Sequence, residues 1–486
     1  MRYCLNKEFN HLYIFNLRGN QRTVGEQSLK EGGKIFGSGS RAPIAINILV
    51  KDGSNKHEIF YHDIGDYLSR KQKLDIIDNF GSIEKINWQT IHPDNNNDWV
   101  NQRDPNYEKY SWIADDNAQI NGVFKNHALG VVTNRDPWVI GFNKEKVLDN
   151  SKILIDHYNE ERKHLVQNSK YSLNKDSKYI KWTRKLEKSA RKNIPIEFQS
   201  SYLVETLYRP FTKKYMYYQY ETVEETRLYY KKWGEANLAI VTTGRGASRE
   251  FSTLVTDKVP DMQLLMNSQG FMRFDNEKQG ETELLEGNHE NINQSFADKL
   301  GLSLDDTFAY VYGLLNSPEY QQKYASDLKK DLARIPVVKN KEKYVEIGKK
   351  LINLHINYEK VEPYGGCKIE MIDNPSYRVE KMKFLKNRNS KIDEPNDRST
   401  IIFNNDIKIS NIPEKAYKYV VNGRSAIEWI MDQYRVKTDK KSGITDDPND
   451  FSDDPKYIFN LLLRIINVSL QTVDLIHQLP KFEVDE

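Results

Sequence analysis

The turn in residues 130–142, GVVTNRDPWVIGF, carries polar side chains suited to nucleic-acid bases, set between two apolar runs. An asparagine amide can bond adenine through two hydrogen bonds, and an arginine guanidinium can bond guanine in the same way. We therefore predict that Asn134 and Arg135 read base edges. A structural alternative fits the same residues: an Asx-type turn in which Arg135 and Asp136 satisfy each other.

Two further stretches carry basic side chains beside glycines or tyrosines. VTTGRGASREFSTL, residues 241–254, places Arg245 and Arg249 on a glycine-rich loop whose open backbone amides can meet phosphate. LYRPFTKKYMYYQY, residues 207–220, combines Arg209 with two lysines and five tyrosines. Tyrosines at this density are more typical of a core or a sheet surface than of a base-stacking platform. We predict nucleic-acid contacts for the three arginines.

The most basic segment spans residues 162–192, which hold eleven Lys or Arg residues and two acidic ones. Such a local positive field can hold a nucleic-acid backbone, because each contact releases counterions from the phosphates. Lys181, Arg184 and Lys185 are its predicted phosphate contacts. The alternative is a solvated helix face whose interleaved aromatic residues only dock it to the protein.

Residues 16–41, NLRGNQRTVGEQSLKEGGKIFGSGSR, place arginines and glycines between two apolar runs. FGSGSR is similar to half of a dinucleotide-binding glycine motif. It precedes the strand-like run IAINILV rather than opening a helix, which is the wrong context for a cofactor cradle. One interpretation of the loop is a mobile connection whose arginines only face water.

The sequence offers no catalytic or metal-binding motif. The P-loop pattern, the HExxH pair and zinc-ligand spacing do not occur in it. DNPSY, residues 373–377, is similar to the (Asp/Asn)-Pro-Pro-Tyr motif with which amino-methyltransferases hold a flipped base, but serine replaces the second proline. Cys4 and Cys367 are the two cysteines, and their separation favours neither a disulfide framework nor a zinc site. We predict no catalytic residue and no metal site.

Overall composition adds weak constraints. A formal charge of +3 is small for 486 residues, so a polyanion site has to come from local clusters of Lys and Arg. With 38% hydrophobic and 29% charged residues the chain is typical of folded protein, and its length favours two or three domains. The N-terminus lacks a signal-peptide pattern, and no apolar run approaches ~20 residues, so we expect a cytoplasmic protein.

Hydrophobic patterning predicts three regions. Residues 1–85 show β-branched and aromatic runs of the kind covered on both faces in an α/β sheet, followed by a helix in DYLSRKQKLDIIDNF. Residues 86–300 alternate polar turns with short aromatic runs, which indicates a mixed α and β domain. Residues 301–486 are rich in predicted helices, and the last, PKYIFNLLLRIINVSLQTVDLIHQLP, is apolar nearly all round and thus predicted to pack into the protein.

In order along the chain, these stretches closely resemble the single-chain type ISP restriction-modification enzymes. The matching pieces are FNLRGNQRTVGEQSLKEGGKIFGSGSRAPIAINILVK, GVVTNRDPWVIGF, YRPFTKKYMYY, TTGRGASREFSTLVTDKVPD, YVYGLLNSPEYQQKYASDLKKDLARIP and VNGRSAIEWIMDQYRVKTDKKSGITDDPND. Members of that family carry a nuclease, a helicase-like ATPase, a coupler, an adenine-specific methyltransferase and a target-recognition domain. The resemblance covers almost the whole of this sequence.

The resemblance implies a fold and a cofactor. Residues 1–85 would be the terminal strands of a class I, Rossmann-like methyltransferase sheet, 86–300 a mixed α/β target-recognition domain, and 301–486 its helix-rich C-terminal part. The S-adenosylmethionine-binding glycines and the (Asn/Asp)-Pro-Pro-Tyr motif of the family would lie upstream, so we expect no cofactor in this chain. By the same resemblance the loop in residues 16–41 projects from the sheet edge toward DNA. Its predicted phosphate contacts are then Arg18, Arg22, Lys34 and Arg41.

The function implied is sequence-specific recognition of double-stranded DNA, with an upstream polypeptide as a possible second partner. The alternative is an active adenine-specific DNA methyltransferase, alone or completed by a partner chain. A third interpretation is a remnant that folds poorly because its first strands lack sheet partners. Methyl transfer by the chain alone would distinguish the second interpretation from the first, and a cooperative melt would argue against the third.

Overall fold

The computed structural model of the protein describes residues 1–485 apart from 24, 38, 116–121, 169, 228, 230–232, 234–235, 276–288 and 388–395. Several small sheets and numerous helices make up this part of the chain. The mixed α/β class predicted from the sequence is confirmed.

The N-terminal part is built on a four-stranded sheet in the order β2-β1-β3-β4. Its strands are β1 (His11–Arg18), β2 (Ile44–Val50), β3 (Glu58–Asp63) and β4 (Gln89–Ile91). Strand β1 runs parallel to β3 and antiparallel to β2. The helices of this part are α1 (Arg2–Glu8), α2 (Gly25–Glu31) and α3 (Arg70–Phe80). Helix α3 is the one predicted from its spacing, and a capping box of Ser69 and Gln72 begins it.

Strand β2 differs from the prediction that its apolar run is covered on both faces. Every residue of β2 is at least partly exposed, and Ile46, Ile48 and Leu49 are exposed to 41%, 36% and 41%. The strand is at the edge of its sheet. Its partner β1 buries Leu12 and Phe15 normally. One edge and much of the surface of β2 are therefore uncovered by the described residues.

The middle part holds two four-stranded sheets, in the orders β13-β9-β10-β8 and β12-β11-β14-β7, together with shorter pairings. Its strands are β5 (Ser111–Ala114), β6 (Gly122–Phe124), β7 (Ala128–Leu129), β8 (Ile140–Gly141), β9 (Leu203–Arg209), β10 (Thr212–Tyr217), β11 (Ala239–Thr242), β12 (Thr253–Thr256), β13 (Val259–Pro260), β14 (Gln269–Met272), β15 (Phe274–Asp275) and β16 (His289–Glu290). Its helices are α4 (Asp136–Val139), α5 (Lys144–Gln167), α6 (Arg184–Arg191) and α7 (Gln294–Leu300).

The C-terminal part combines the predicted helices with a four-stranded sheet in the order β18-β21-β20-β19. Its helices are α8 (Leu304–Leu315), α9 (Pro318–Lys323), α10 (Ala325–Lys330), α11 (Lys341–Ile356), α12 (Ala426–Gln433) and α13 (Tyr457–Ile476). Its strands are β17 (Arg334–Ile335), β18 (Lys368–Met371), β19 (Lys383–Lys386), β20 (Asn396–Ile402), β21 (Ile407–Ser410), β22 (Val420–Val421), β23 (Arg424–Ser425), β24 (Lys437–Thr438) and β25 (Thr445–Asp446).

Helices α8 and α11 approach each other closely because each has a glycine at the contact. A Cβ atom on Gly348 of α11 would lie 1.9 Å from the carbonyl oxygen of Ala309, and one on Gly313 of α8 would lie 2.3 Å from that of Tyr344. Any larger side chain would push the two helices apart. The pair forms part of a core that also includes Phe124.

Helix α13 is long and apolar enough to span a membrane by length and composition, with a mean hydropathy of 1.3 in its most apolar window. However, 61% of that window is buried inside the protein. Its residues Leu461, Leu462 and Ile465 are fully buried in the largest core. Helix α13 therefore packs into the protein, as its all-round apolar surface predicts.

Both large cores draw residues from either side of position 300. One contains Phe142 together with Ile430, and the other contains Phe124 together with Tyr344. The N-terminal part instead has two small clusters of its own, around Phe15 and around Leu12. The two N-terminal clusters extend past residue 85, as far as Ile91 and Trp99. The predicted domain boundaries at 85 and 300 stay predictions.

An acidic side chain joins the N-terminal part to the rest. The Asp98 carboxylate is fully buried, and it pairs with Arg2 at 2.6 Å and with Lys330 of α10 at 2.6 Å. Arg103 adds a third contact at 3.2 Å. Burial acts to raise the pKa of Asp98, but the cations, Lys330 foremost, outweigh it and hold the pKa below its usual value.

Candidate nucleic-acid interface

A polar cleft of about 520 Å³ lies where four stretches of the chain meet. They are residues 131–140, the tip of the β9–β10 hairpin, residues 261–263 and residues 432–446. The last of these stretches includes the β24–β25 hairpin. The side chain of Lys181, from the basic segment, reaches the same cleft. The cleft is thus assembled from parts that are distant in sequence, and its shape depends on how they are held together.

The first fixed pair on the cleft floor is Arg209 with Asp261. Arg209 ends strand β9, and its Nη1 donates to the Asp261 carboxylate at 2.7 Å and to the carbonyl oxygen of Tyr208 at 2.5 Å. The guanidinium also stacks on the Tyr208 ring, 3.9 Å from its centroid. Sequence patterning predicts that Arg209 contacts DNA. In the structure its charge is instead largely committed to a protein carboxylate, with 17% of the side chain exposed.

The second fixed pair is Lys214 with Asp446. Alternation along β10 directs Lys214 inward, with Thr212 and Met216. Its Nζ donates to Asp446 at 2.6 Å and lies over the Phe142 ring at 4.4 Å. Burial lowers the pKa of Lys214, and Asp446 only partly offsets this. The pair ties the end of strand β25 to the cleft floor.

Asp136 and Asp261 complete the floor. Asp136 accepts hydrogen bonds from the hydroxyl groups of Thr133 and of Tyr208, the latter at 2.9 Å. Burial raises the pKa of Asp261 to about 6, Arg209 opposes this rise, and the nearby Asp136 carboxylate adds to it. The floor is therefore a closed network of paired charges and hydroxyl groups.

The rim of the cleft has the opposite character. Four of its side chains make no hydrogen bond or ion pair within the described part of the chain: Asn134, Lys181, Gln263 and Lys437. All four residues are exposed. Amides offer both donor and acceptor atoms, and lysines offer donors only. These are the groups that base edges and phosphates can engage.

Arg135 does not take part in the rim, and its predicted role as a base reader is not supported by its position. Its side chain is fully buried, and its guanidinium donates to the Thr222 carbonyl oxygen and, at 2.5 Å, to the Thr183 hydroxyl. Glu224 lies 3.6 Å from its Nη2. Burial lowers the pKa of Arg135 to about 10, with Glu224 partly compensating. The Arg135–Asp136 pair of the structural alternative is likewise not formed; Arg135 instead holds the turn of Asn134 against the basic segment.

Asn134 is the residue that this turn presents. Its backbone is left-handed, with φ of 56°, which asparagine tolerates better than most residues. Helix α4 starts two residues later at Asp136. The sequence therefore locates the turn correctly, but of the two neighbouring residues it singles out, only Asn134 faces the cleft.

The basic segment divides between free and occupied cations. Lys181 and Arg184 are exposed. The Lys185 ammonium group instead donates to the carbonyl oxygens of Tyr220 and Val223 at 2.6 and 2.7 Å. Burial lowers the pKa of Lys185. Aromatic residues of the segment do dock it to the protein, as where the Tyr179 ring stacks on His157 of α5 with ring centroids 5.4 Å apart.

The glycine-rich loop after β11 places its two arginines apart from the cleft. Arg245 forms an ion pair with Asp331 at 2.9 Å and is 43% exposed. Arg249 donates to the Asn422 carbonyl oxygen at 3.1 Å and lies 5.9 Å from the Trp429 ring. Neither lines the cleft that contains Asn134. Their predicted contacts to DNA stay predictions.

The four cations of the N-terminal loop also lie outside the cleft. Arg18 pairs with the carboxylates of Asp63, at 2.6 Å, and Asp66. Arg41 donates to the Gln21 carbonyl oxygen at 3.0 Å, but most of its side chain is exposed. Arg22 is exposed and Lys34 half-buried, and neither side chain has a partner in the described residues. The loop is thus a second basic surface, separate from the cleft.

A buried lysine fixes this loop. The side chain of Lys73 in α3 donates to three backbone carbonyl oxygens, those of Leu17 at 2.9 Å, Glu31 at 2.7 Å and Gly33 at 2.9 Å. Burial lowers its pKa, with Glu31 partly compensating. A Cβ on Gly33 would lie 2.3 Å from the Arg70 backbone nitrogen, so the close approach requires glycine. The interpretation as a loosely held connection does not fit this geometry.

Sequence patterning did not predict that residues 432–446 form one side of the cleft. Gln433, Arg435 and Lys437 line the cleft from it. A signal was present: the turn residues KKSG lie between two short β-forming runs, which is a hairpin pattern. No cluster of three or more His, Cys, Asp or Glu residues that could hold a metal ion is found in the described residues.

The structure defines a class of protein: a mixed α/β module with a binding cleft. Charged side chains are paired with each other on the floor of the cleft, and the hydrogen-bonding groups at its rim have no partner in the described residues. A family model described as the type ISP C-terminal specificity domain matches residues 122–461. This is more than half of the chain, and the protein belongs to that family. Among curated proteins the comparison found no match.

Three solved structures are similar to the chain. A nuclease-deletion mutant of the type ISP restriction-modification enzyme LlaGI, in complex with a DNA substrate mimic, is 49% identical with a TM-score of 0.87, over 100% of this chain and 38% of that one. The ATP-dependent type ISP enzyme LlaBIII bound to DNA is 38% identical with a TM-score of 0.87, over 100% and 32%. A DrdV–DNA complex is 27% identical with a TM-score of 0.82, over 99% and 48%. The chain therefore spans less than half of each solved chain.

Proposed function

We propose that this chain recognises a specific DNA sequence, as the C-terminal specificity part of a type ISP restriction-modification enzyme. The observation that carries the proposal is the cleft, in which paired charges form the floor while amide and cationic groups at the rim have no partner among the described residues. Free amides and cations held in a fixed frame suit base edges and phosphates. The three similar structures are DNA complexes, which supports the same partner.

In this mechanism the two sets of residues do different work. Asn134 and Gln263 offer amides to base edges, and Lys181 and Arg184 hold phosphates and set the register of the duplex. Arg135 is a positioning residue, since its buried guanidinium links the Asn134 turn to Thr183, which caps the helix that carries Arg184. The sequence preference depends on that link staying intact.

We further propose that the N-terminal sheet is the end of a class I methyltransferase sheet. Support comes from β2, whose exposed edge and apolar surface would be covered by further strands. Those strands would belong to an upstream polypeptide, and S-adenosylmethionine would be bound there. On this proposal the loop cations Arg22, Lys34 and Arg41 face the same DNA from the methyltransferase side.

Selection from randomised DNA duplexes tests the main proposal. The full chain would be incubated with a duplex pool, the bound fraction sequenced, and the selected duplex compared with a scrambled one by fluorescence anisotropy. Specific protein–DNA complexes exceed non-specific ones by about 10³-fold or more. We expect at least a hundredfold preference for the selected duplex. Equal affinity for both duplexes would contradict sequence recognition.

A second arm tests the methyltransferase interpretation. Labelled S-adenosylmethionine is added to the chain with the selected duplex, first alone and then with an upstream polypeptide carrying the remaining strands. We expect no methyl transfer by the chain alone, because its sequence lacks the glycine and Pro-Pro-Tyr motifs of that chemistry. Methyl transfer by the chain alone would show that its primary function is catalysis and not recognition.

A further inference from the structure

The β24–β25 hairpin forms one side of the cleft mouth and was not identified from the sequence. Lys437 pairs with Asp446 and Thr438 with Thr445 across the two short strands. The hydroxyl groups of the two threonines are 2.8 Å apart. The outward side chains of this ribbon are exposed, Lys437 among them.

The turn of the hairpin is held in one shape by Asp439. One oxygen of its carboxylate accepts from the Ser442 backbone nitrogen at 2.8 Å, from the Ser442 hydroxyl at 2.9 Å and from the Lys441 backbone nitrogen at 3.2 Å. Gly443 follows with φ of 76°, where a side chain would be strained. The turn thus presents Lys440 and Lys441 to solvent from a preformed backbone.

The base of the hairpin is fixed as firmly as its turn. The Asp446 carboxylate accepts from the buried Lys214 ammonium at 2.6 Å and from the Phe142 backbone nitrogen at 2.9 Å. Both carboxylates of the hairpin are therefore occupied inside the protein. Its lysines, by contrast, have no ion pair among the described residues: Lys437, Lys440 and Lys441. The hairpin is thus held at its turn and at its base, and its three lysines outnumber its two carboxylates, of which Asp446 is paired with Lys214.

We propose that this hairpin enters the major groove of the DNA, an assignment that rests on the function proposed above. A two-stranded ribbon fits the major groove, which is about 12 Å wide. Lys437 lines the same cleft as Asn134 and contacts a guanine edge, for which lysine is a common donor. Lys440 and Lys441, at the tip, contact phosphates. The hairpin is thus a specificity element opposite the Asn134 turn.

The phosphate contacts are tested with Lys440→Ala/Lys441→Ala. Each lost phosphate contact reduces the salt slope by about 0.9, so the double variant should lose roughly 2 from the slope and about 30-fold in affinity at 0.15 M salt, for every sequence. Lys299→Ala/Lys360→Ala is the matched control, because both lysines are exposed and neither lines the cleft. An unchanged slope in the hairpin variant, or an equal loss in the control, would overturn the phosphate role.

The base contact is tested with Lys437→Ala in the duplex selection. We expect the preference for guanine to fall about tenfold at one position and to stay unchanged elsewhere. A wild-type chain that selects a sequence, with a Lys437→Ala variant that selects the same sequence equally well, would overturn this role alone. A wild-type chain without any sequence preference would instead contradict the proposed function itself. Because the hairpin residues are exposed, melting curves should match the wild type.

Discussion

The floor and the rim of the cleft contain the same kinds of side chain but use them differently. On the floor, Arg209 and Lys214 are buried against carboxylates, and their charges are neutralised within the protein. At the rim, Lys181 and Lys437 are exposed and unpaired in the described residues. The role of a lysine or arginine is therefore indicated by the groups it contacts and not by its residue type. The floor maintains the shape of the cleft, and the rim is left to bind.

Adjacent residues show this difference most clearly. Asn134 is exposed in the cleft, while Arg135 is fully buried with its donors directed to protein oxygens. Two residues that are adjacent in sequence therefore differ in role: Asn134 is free to contact a ligand, and Arg135 holds the protein structure. If the distinction is correct, substitutions in the two places should change different properties.

The largest expected effect is that of Arg135→Ala on stability. Removing one member of a buried charged network leaves Glu224 and the Thr222 carbonyl oxygen without their partner. The free energy of unfolding should fall by about 3–5 kcal/mol in urea denaturation. Arg184→Ala, which removes an exposed arginine, is the control and should change it by about 0.5 kcal/mol or less. Equal losses would remove the distinction between buried and exposed arginines near the cleft.

Next in size is a pH effect from the floor. The pKa of Asp261 rises from 3.8 to about 6 in the folded protein because the group is buried, with Arg209 opposing and Asp136 adding to the shift. An acid whose pKa is raised by folding stabilises the folded state below its unfolded pKa. That contribution is lost as the pH rises from about 4 to 6, and it amounts to about 3 kcal/mol.

Asp261→Asn tests this, since the amide still accepts from Arg209 but does not ionise. Relative to the wild type, the free energy of unfolding of the variant should increase by about 3 kcal/mol between pH 4 and pH 7. Urea denaturation at the two pH values measures the difference. A difference that is the same at both pH values would mean that Asp261 ionises as an ordinary carboxyl group.

A smaller effect is expected from the exposed cations of the basic segment. Lys181→Ala/Arg184→Ala should lower DNA affinity for all sequences by about 30-fold at 0.15 M salt, roughly 2 kcal/mol, and reduce the salt slope by about 2. Lys185→Ala should leave the slope unchanged, because the Lys185 ammonium group already donates to two carbonyl oxygens. Fluorescence anisotropy over a salt series compares them. A slope that falls only with Lys185→Ala would reverse the assignment.

The smallest expected effect is on base preference at a single position. Asn134→Gly removes the amide and keeps the left-handed backbone that Asn134 requires. Discrimination at one base pair should fall by about 1 kcal/mol, with little change in affinity for non-specific DNA. Asn374→Gly is a matched control, since Asn374 is exposed, has φ of 53° and lies outside the cleft. The same loss in both variants would show that backbone flexibility is the cause.

Sequence patterning predicted the elements better than the contacts. The apolar periodicity of α3 and α13 located both helices, because burial of one face or of all faces leaves a regular signal. It failed for β2, whose apolar run predicts coverage on both faces. Hydrophobicity records what a strand prefers to bury, and the described chain supplies nothing to cover it.

The site was predictable only in part, for a physical reason. Asn134 and Lys181, which line the cleft, could be singled out from the sequence because turn chemistry and charge clustering are local properties. The burial of Arg135 and the pairing of Arg209 depend on Thr222 and Asp261, which are distant in sequence. No local pattern reports such partners. The hairpin at residues 437–446 has a local turn pattern, but that pattern does not report that the hairpin lines the cleft.

The Lys73 contacts have a consequence for how the N-terminal loop can evolve. Its ammonium group is bonded to main-chain oxygens of the loop and not to side chains. Substitutions at the exposed loop positions, such as Arg22, leave these bonds intact, provided that the close-packed Gly33 is kept. The backbone conformation of the loop therefore does not depend on its surface side chains. Substitutions there can change what the loop binds without changing its shape.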